Sequence, residues 1–172
     1  MNHTLLSLCA LLVIANPGLN VLQKDPGREV TVTPLAPTVS GHRTPITKGL
    51  VSDQLRVVVR DRDTWEQVWA HLNPVPNPPP LPEVDFTREM LVVAAMGLRP
   101  SSGYRIVVDK ALAFEHYPRL EVVVRSIDNT KCPGLGHFTS LTSPIDIVRL
   151  DRTERSVVFR EEAVSDCPKL TP

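Results

Sequence analysis

The sequence is short of several things, and each shortage excludes something. It has no net charge, with 19 Lys and Arg against 19 Asp and Glu. That balance excludes a globally basic nucleic-acid binder and a polybasic membrane adhesin. It has no apolar run long enough to cross a bilayer, since about eleven apolar residues from Leu5 to Ala15 fall short of the roughly 20 required. It has no G-x-S-x-G elbow, S-x-x-K, H-E-x-x-H or Walker loop, so the common hydrolase and nucleotide motifs are missing. Gly134-Leu135-Gly136 lacks the third glycine of a dinucleotide loop and reads as a source of loop flexibility. The five histidines, His3, His42, His71, His116 and His137, show no metal-ligand spacing. Cys132, His137 and Cys167 form one conceivable zinc set, but there is no C-x-x-C and no fourth ligand, so neither a metal nor a cofactor is expected.

What is present is proline, 17 residues of it in a chain of 172. Each proline fixes φ and removes a backbone donor, which disfavours a long-helix bundle. The hydrophobic fraction of 42% is too high for a disordered chain, and the length suits one domain. Residues 1–15 read as a signal peptide, with Val13 and Ala15 as the small residues before cleavage; the alternative is a buried element of the domain. An exported chain that has lost Cys9 keeps Cys132 and Cys167, a pair suited to a disulfide, whereas a cytosolic chain would keep them as thiols. Localisation is therefore read as secreted or periplasmic, without a stable membrane anchor.

Residues 16–52 form an extended Pro- and Thr-rich leader in which Val30 and Val32 alternate with threonine, enough for one edge strand. Residues 53–172 read as a single globular domain. Leu55–Arg60 is a β-branched strand, and Asp63-Thr64-Trp65-Glu66 fits a helix N-cap followed by Glu. Trp65, Val68, Trp69 and Leu72 then recur on one helical face, suited to clamping a helix to a sheet or to stacking a ligand. Residues 74–82 hold six prolines and read as a stiff, solvated polyproline loop. The nearly continuous apolar run Met90–Met96 suits a central strand buried on both faces. Tyr104–Val108, Leu120–Val124, Ile145–Leu150 and Ser156–Arg160 follow as strands, the last two as partners across the charged turn 151–155. The fold class is thus α+β and mostly β: a compact antiparallel sheet or sandwich-like domain of about six or seven strands with one short helix packed on it. Asp85, Asp109, Asp128 and Asp146 fall near strand ends or turns and read as solvated.

The segment Gly97-Leu98-Arg99-Pro100-Ser101-Ser102-Gly103-Tyr104 carries the functional signal. Gly103 permits a tight turn at positive φ, and Ser101 and Ser102 suit capping of exposed backbone groups. Arg99 and Tyr104 are residue types favoured at interface hot spots. The competing reading is a hairpin loop whose tyrosine packs on the sheet.

Val84-Asp85-Phe86 before Met90-Leu91-Val92-Val93, the Gly97-x-Arg99-Pro100-x-x-Gly103-Tyr104-x-Ile106 segment, Leu120-x-Val122-x-Val124, Thr142-Ser143-Pro144 and Val157-Val158-Phe159 form a further pattern. Over roughly residues 55–160 the chain resembles the C-terminal domain of the protease-complex subunit PrcB. The Trp65-x-x-x-Trp69 helix is similar to the element that often precedes that domain. The resemblance implies an exported bacterial protein with a β-rich, non-catalytic domain and an accessory role beside a protease. The family usually carries two glycines before the tyrosine, where this chain has Ser102 and Gly103. The expected function is a binding module that docks on a protein partner, a protease among the candidates, through Arg99, Ser101, Ser102, Gly103 and Tyr104. An inhibitor inserting the same loop into a protease cleft is the alternative, and a hydrolase with dispersed carboxylates is a third.

Overall fold

The computed structural model describes residues 25–36, 38–39, 42–43 and 49–167, so the expected signal segment 1–15 lies outside the described residues. In chain order the elements are β1 (Arg28–Val30), β2 (Thr33–Pro34), β3 (Thr38–Val39), β4 (His42–Arg43), β5 (Gln54–Val59), α1 (Arg62–Leu72), β6 (Glu89–Met96), β7 (Tyr104–Ala113), β8 (Arg119–Asp128), β9 (Ile145–Asp151) and β10 (Ser156–Val164). The fold is α+β and mostly β. One sheet has the order β1-β7-β8-β10, a second has β2-β9-β6-β5, and β3 and β4 pair as a small ribbon.

The apolar run in β6 is explained by what lies on either side of it. Met90, Val92, Ala94 and Met96 face the other sheet and pack with Ile106, Val108, Leu120, Val122 and Val124. Leu91 and Val93 face the opposite way, onto Trp65, Trp69 and Leu72 of α1. The layers are therefore sheet, sheet and helix, and the second sheet is buried on both faces. Each fully buried Val, Leu or Met side chain contributes roughly 1.5–3 kcal/mol of transfer free energy to this arrangement.

The N-cap of α1 lies two residues before the expected one. Asp61, extended at φ −147° and ψ 163°, accepts from the Thr64 backbone N–H, while Asp63 lies inside the first turn, where its charge suits the helix dipole. Both tryptophans clamp the helix to the sheet, and each also holds the proline loop. The Trp69 indole N–H donates to the Pro79 carbonyl and the Trp65 indole N–H to the Pro82 carbonyl, both at 3.0 Å. The loop is consequently strapped along the helix on one side rather than solvated all round.

Strand β7 extends five residues beyond the expected Val108, because the register shifts between Val108 and Lys110. The bulge switches the inward parity from Ile106 and Val108 to Ala111 and Ala113. Asp146, expected to be solvated, is only 4% exposed, and its Oδ2 accepts from the Val108 N–H at 2.6 Å beside the bulge. The expected β9–β10 hairpin is also corrected. β10 runs parallel to β8 in the first sheet, while β9 pairs antiparallel with β6 in the second. The chain at 152–155 thus crosses between sheets. Arg60, which donates to the Thr153 and Arg155 carbonyls, secures that crossing.

The leader joins the sandwich along one side, as β1 pairs with β7 and β2 with β9. On the other side Arg56 of β5 grips Glu161 of β10 with a two-pronged fork, Nε to Oε1 at 2.6 Å and Nη2 to Oε2 at 2.8 Å. The edges of the two sheets are tied together there.

Candidate functional site

The segment from Gly97 to Tyr104 connects β6 in one sheet to β7 in the other, and its shape is fixed residue by residue. Gly97 takes φ +72°, and a Cβ at that position would lie 2.6 Å from the Ser52 carbonyl oxygen. Only glycine meets both requirements. Gly103 does not adopt the expected left-handed φ. Its constraint is space, since a Cβ would lie 2.8 Å from Thr130 Cγ2 and 3.1 Å from the His137 ring.

The segment is paired along its length with a second, distant loop. Arg99 and Thr142 form an isolated antiparallel bridge, with N–H to O distances of 2.8 and 2.9 Å. The Thr142 hydroxyl donates to the Ser101 carbonyl at 2.9 Å. The Ser102 N–H donates to the Phe138 carbonyl at 3.1 Å, and the Phe138 N–H returns a bond to Ser102 Oγ at 3.0 Å. Ser102 therefore supplies an acceptor that a glycine at this position would lack. Ser101 Oγ accepts locally from the Gly103 N–H at 3.3 Å.

The second loop has its own support. Asp128 Oδ1 accepts from the Thr130 hydroxyl at 2.6 Å and the Thr130 N–H at 2.9 Å. Those two bonds, the hydroxyl first, hold the Asp128 carboxyl below its ordinary pKa. His137 Nε2 bonds the Asn129 carbonyl at 2.7 Å, and the Asn129 N–H reaches the Gly103 carbonyl at 3.0 Å. Cys132 and Cys167 form the expected disulfide, with Cα atoms 5.2 Å apart. Ser165 Oγ donates to the Asp128 carbonyl, and the Asp166 N–H to Asn129 Oδ1. The C-terminal segment is thereby a brace behind the loop.

The exposed residues differ in part from the five singled out by sequence. Ser102 is exposed, Ser101 half-buried and Gly103 buried. Arg99 is half-buried, its guanidinium 5.9 Å from the Tyr104 ring centroid and its Nη1 donating to the Leu98 carbonyl. Tyr104 packs against the inter-sheet core at the start of β7. Arg99 and Tyr104 thus stiffen the loop from beneath. The apolar surface comes instead from Leu98 at 38% exposure, Leu141 at 62% and Phe138 at 79%. Phe138 and Leu141 escaped sequence reasoning. Their only signal was a large apolar residue amid Gly, Ser and Thr, outside any alternating strand.

The chemistry available at this end of the sandwich is recognition by apolar contact, flanked by the hydroxyls of Ser102, Thr139 and Ser140. Among the described residues no group of His, Cys, Asp or Glu is placed to hold a metal ion, and no helix is long and apolar enough to cross a membrane. A scan against protein-family models, a search of curated proteins and a search of solved structures each find no match.

Proposed function

We propose that the chain is a non-catalytic binding module that docks on a protein partner through the paired loops 98–104 and 137–142. The observation that carries this reading is the exposure of Leu98, Phe138 and Leu141 on loops that are hydrogen-bonded to each other and braced by a disulfide. A preorganised apolar surface loses little conformational freedom on binding, and one aromatic anchor such as Phe138 is the kind of residue that dominates interface energetics. The resemblance to the PrcB C-terminal domain points to a protease as the partner. The Cys132–Cys167 bridge supports a secreted or periplasmic setting, where disulfides persist.

Inhibition is the second reading, favoured by the double tethering of the 98–104 segment at Arg99 and Ser102. Such rigidity suits a loop held in a protease cleft. A panel of proteases separates the two, because docking outside the active site leaves hydrolysis of small substrates unchanged.

A photoreactive phenylalanine analogue in place of Phe138 tests the docking reading. Tyr117, 58% exposed beyond the opposite end of β7, is the control position. The expected result in the extracellular fraction is an adduct from position 138 and none from 117. Equal labelling from both positions, or none from 138, refutes the reading.

A further inference from the structure

The first sheet ends on β10, and among the described residues no strand pairs with its far edge. A long open edge is a template for another strand, and proteins usually blunt it with charge. β10 does carry charge, as Arg160, Glu161 and Glu162, yet it also leaves Val158 47% exposed on that edge. Val157 and Phe159 pack inward, so Val158, Arg160, Glu162 and Val164 share the outward face.

We infer that β10 is a homodimerisation edge, pairing antiparallel with β10 of a second copy about a two-fold axis through Glu161. A two-fold that keeps both sandwiches on the same side of the joined sheet must pass through a residue, because opposed residues then share a face. Centred on Arg160 the pairing sets Val158 against Glu162, and centred on Glu162 it sets Arg160 against Val164. Centred on Phe159 it sets Val158 against Arg160. Centred on Glu161, Arg160, which also bonds Glu121 and Glu162 of its own chain, faces Glu162 of the second copy twice over, and Val158 faces Val164 of the second copy, also twice. Cross-strand pairs of opposite charge and of β-branched residues are the contacts that stabilise antiparallel sheets.

The two Glu161 side chains meet at the axis, and each arrives with its charge already held in the Arg56 fork of its own chain. The charges that reject a chance strand therefore complement each other in one register. The occupant is a second copy of this chain, because the pattern read in one direction complements itself read in the other. This edge is separate from the loops assigned to partner docking and survives or fails independently of them.

Sedimentation equilibrium of the purified protein across the micromolar range tests the inference, with dimer expected to replace monomer as concentration rises. Glu161→Cys is expected to form a disulfide-linked dimer under mild oxidation, while Glu162→Cys, which faces arginine, is not. Glu162→Arg, which places two arginine pairs across the axis and also removes the Glu162 pairs with Arg160 and Arg125 of its own chain, is expected to weaken the dimer by roughly tenfold or more while the circular dichroism spectrum stays that of the folded protein. A protein that stays monomeric at every concentration overturns the inference. A dimer that forms with Glu161→Cys unlinked, or with Glu162→Arg as tight as the wild type, overturns the pairing.

Discussion

Replacing Cys167 by serine isolates what the disulfide does for the candidate site. Cys167 is exposed whereas Cys132 is buried at 5% exposure, so the change at 167 removes the link with little loss of packing. The bridge closes a loop of 35 residues, and the chain-entropy relation then gives about 3.8 kcal/mol at 25 °C. For a domain of this size that corresponds to a fall in melting midpoint of roughly 8–15 °C. Scanning calorimetry of Cys167→Ser beside the wild type, and of the wild type in reductant, is the assay, and the reduced wild type is expected to melt with Cys167→Ser, below the untreated wild type. Amide exchange is expected to quicken first from Asn129 to His137, because the Ser165 and Asp166 bonds behind that loop lose their anchor. A midpoint lowered by less than about 2 °C refutes the reasoning, since the brace then adds nothing to contacts that hold without it.

Other outcomes follow from the same geometry. Gly97→Ala, which needs a left-handed φ and brings a Cβ to 2.6 Å from the Ser52 oxygen, is expected to cost about 2–3 kcal/mol in urea denaturation. Trp69→Phe removes the donor to the Pro79 carbonyl and is expected to cost about 1–2 kcal/mol and to loosen residues 74–82 in amide exchange. The carboxyls of Asp61, Asp85 and Asp128 are held below their ordinary pKa by the Thr64 N–H, the Thr87 hydroxyl and the Thr130 hydroxyl respectively. A depressed folded pKa stabilises at pH above the unfolded value and is lost as pH falls through the folded one. The urea midpoint is therefore expected to be level near neutrality and to fall below about pH 4, and a midpoint that rises there contradicts the assignment.

Much of the fold is legible in the sequence wherever one residue pattern answers to one environment. Met90–Met96 reads as a doubly buried strand because the other sheet and α1 cover its two faces, and Trp65 and Trp69 read as one helical face because both point at the second sheet. Strand pairing is less legible. The charged stretch after Asp151 looks like a hairpin turn, but β10 finds its partner in β8 across the sandwich, a choice made by packing distant in sequence. β7 looks short because its bulge reverses the alternation after Val108. The start of α1 is ambiguous because Asp61 and Asp63 both suit a cap, and only the extended backbone at Asp61 decides between them. At the site, Gly97 to Tyr104 stands out through its turn chemistry. Its partner loop does not, because the exposure of Phe138 depends on Ser102 bonding a residue 36 positions away.

The proposed docking surface is tested most directly by comparing partner capture by the wild type and by the double variant Phe138→Ser/Leu141→Ser. Both side chains are exposed, so the melting midpoint is expected to stay within about 2 °C of wild type. Truncating hot-spot residues commonly costs 2 kcal/mol or more, so captured partner is expected to fall by roughly tenfold or further. Equal capture by two equally folded proteins contradicts the account.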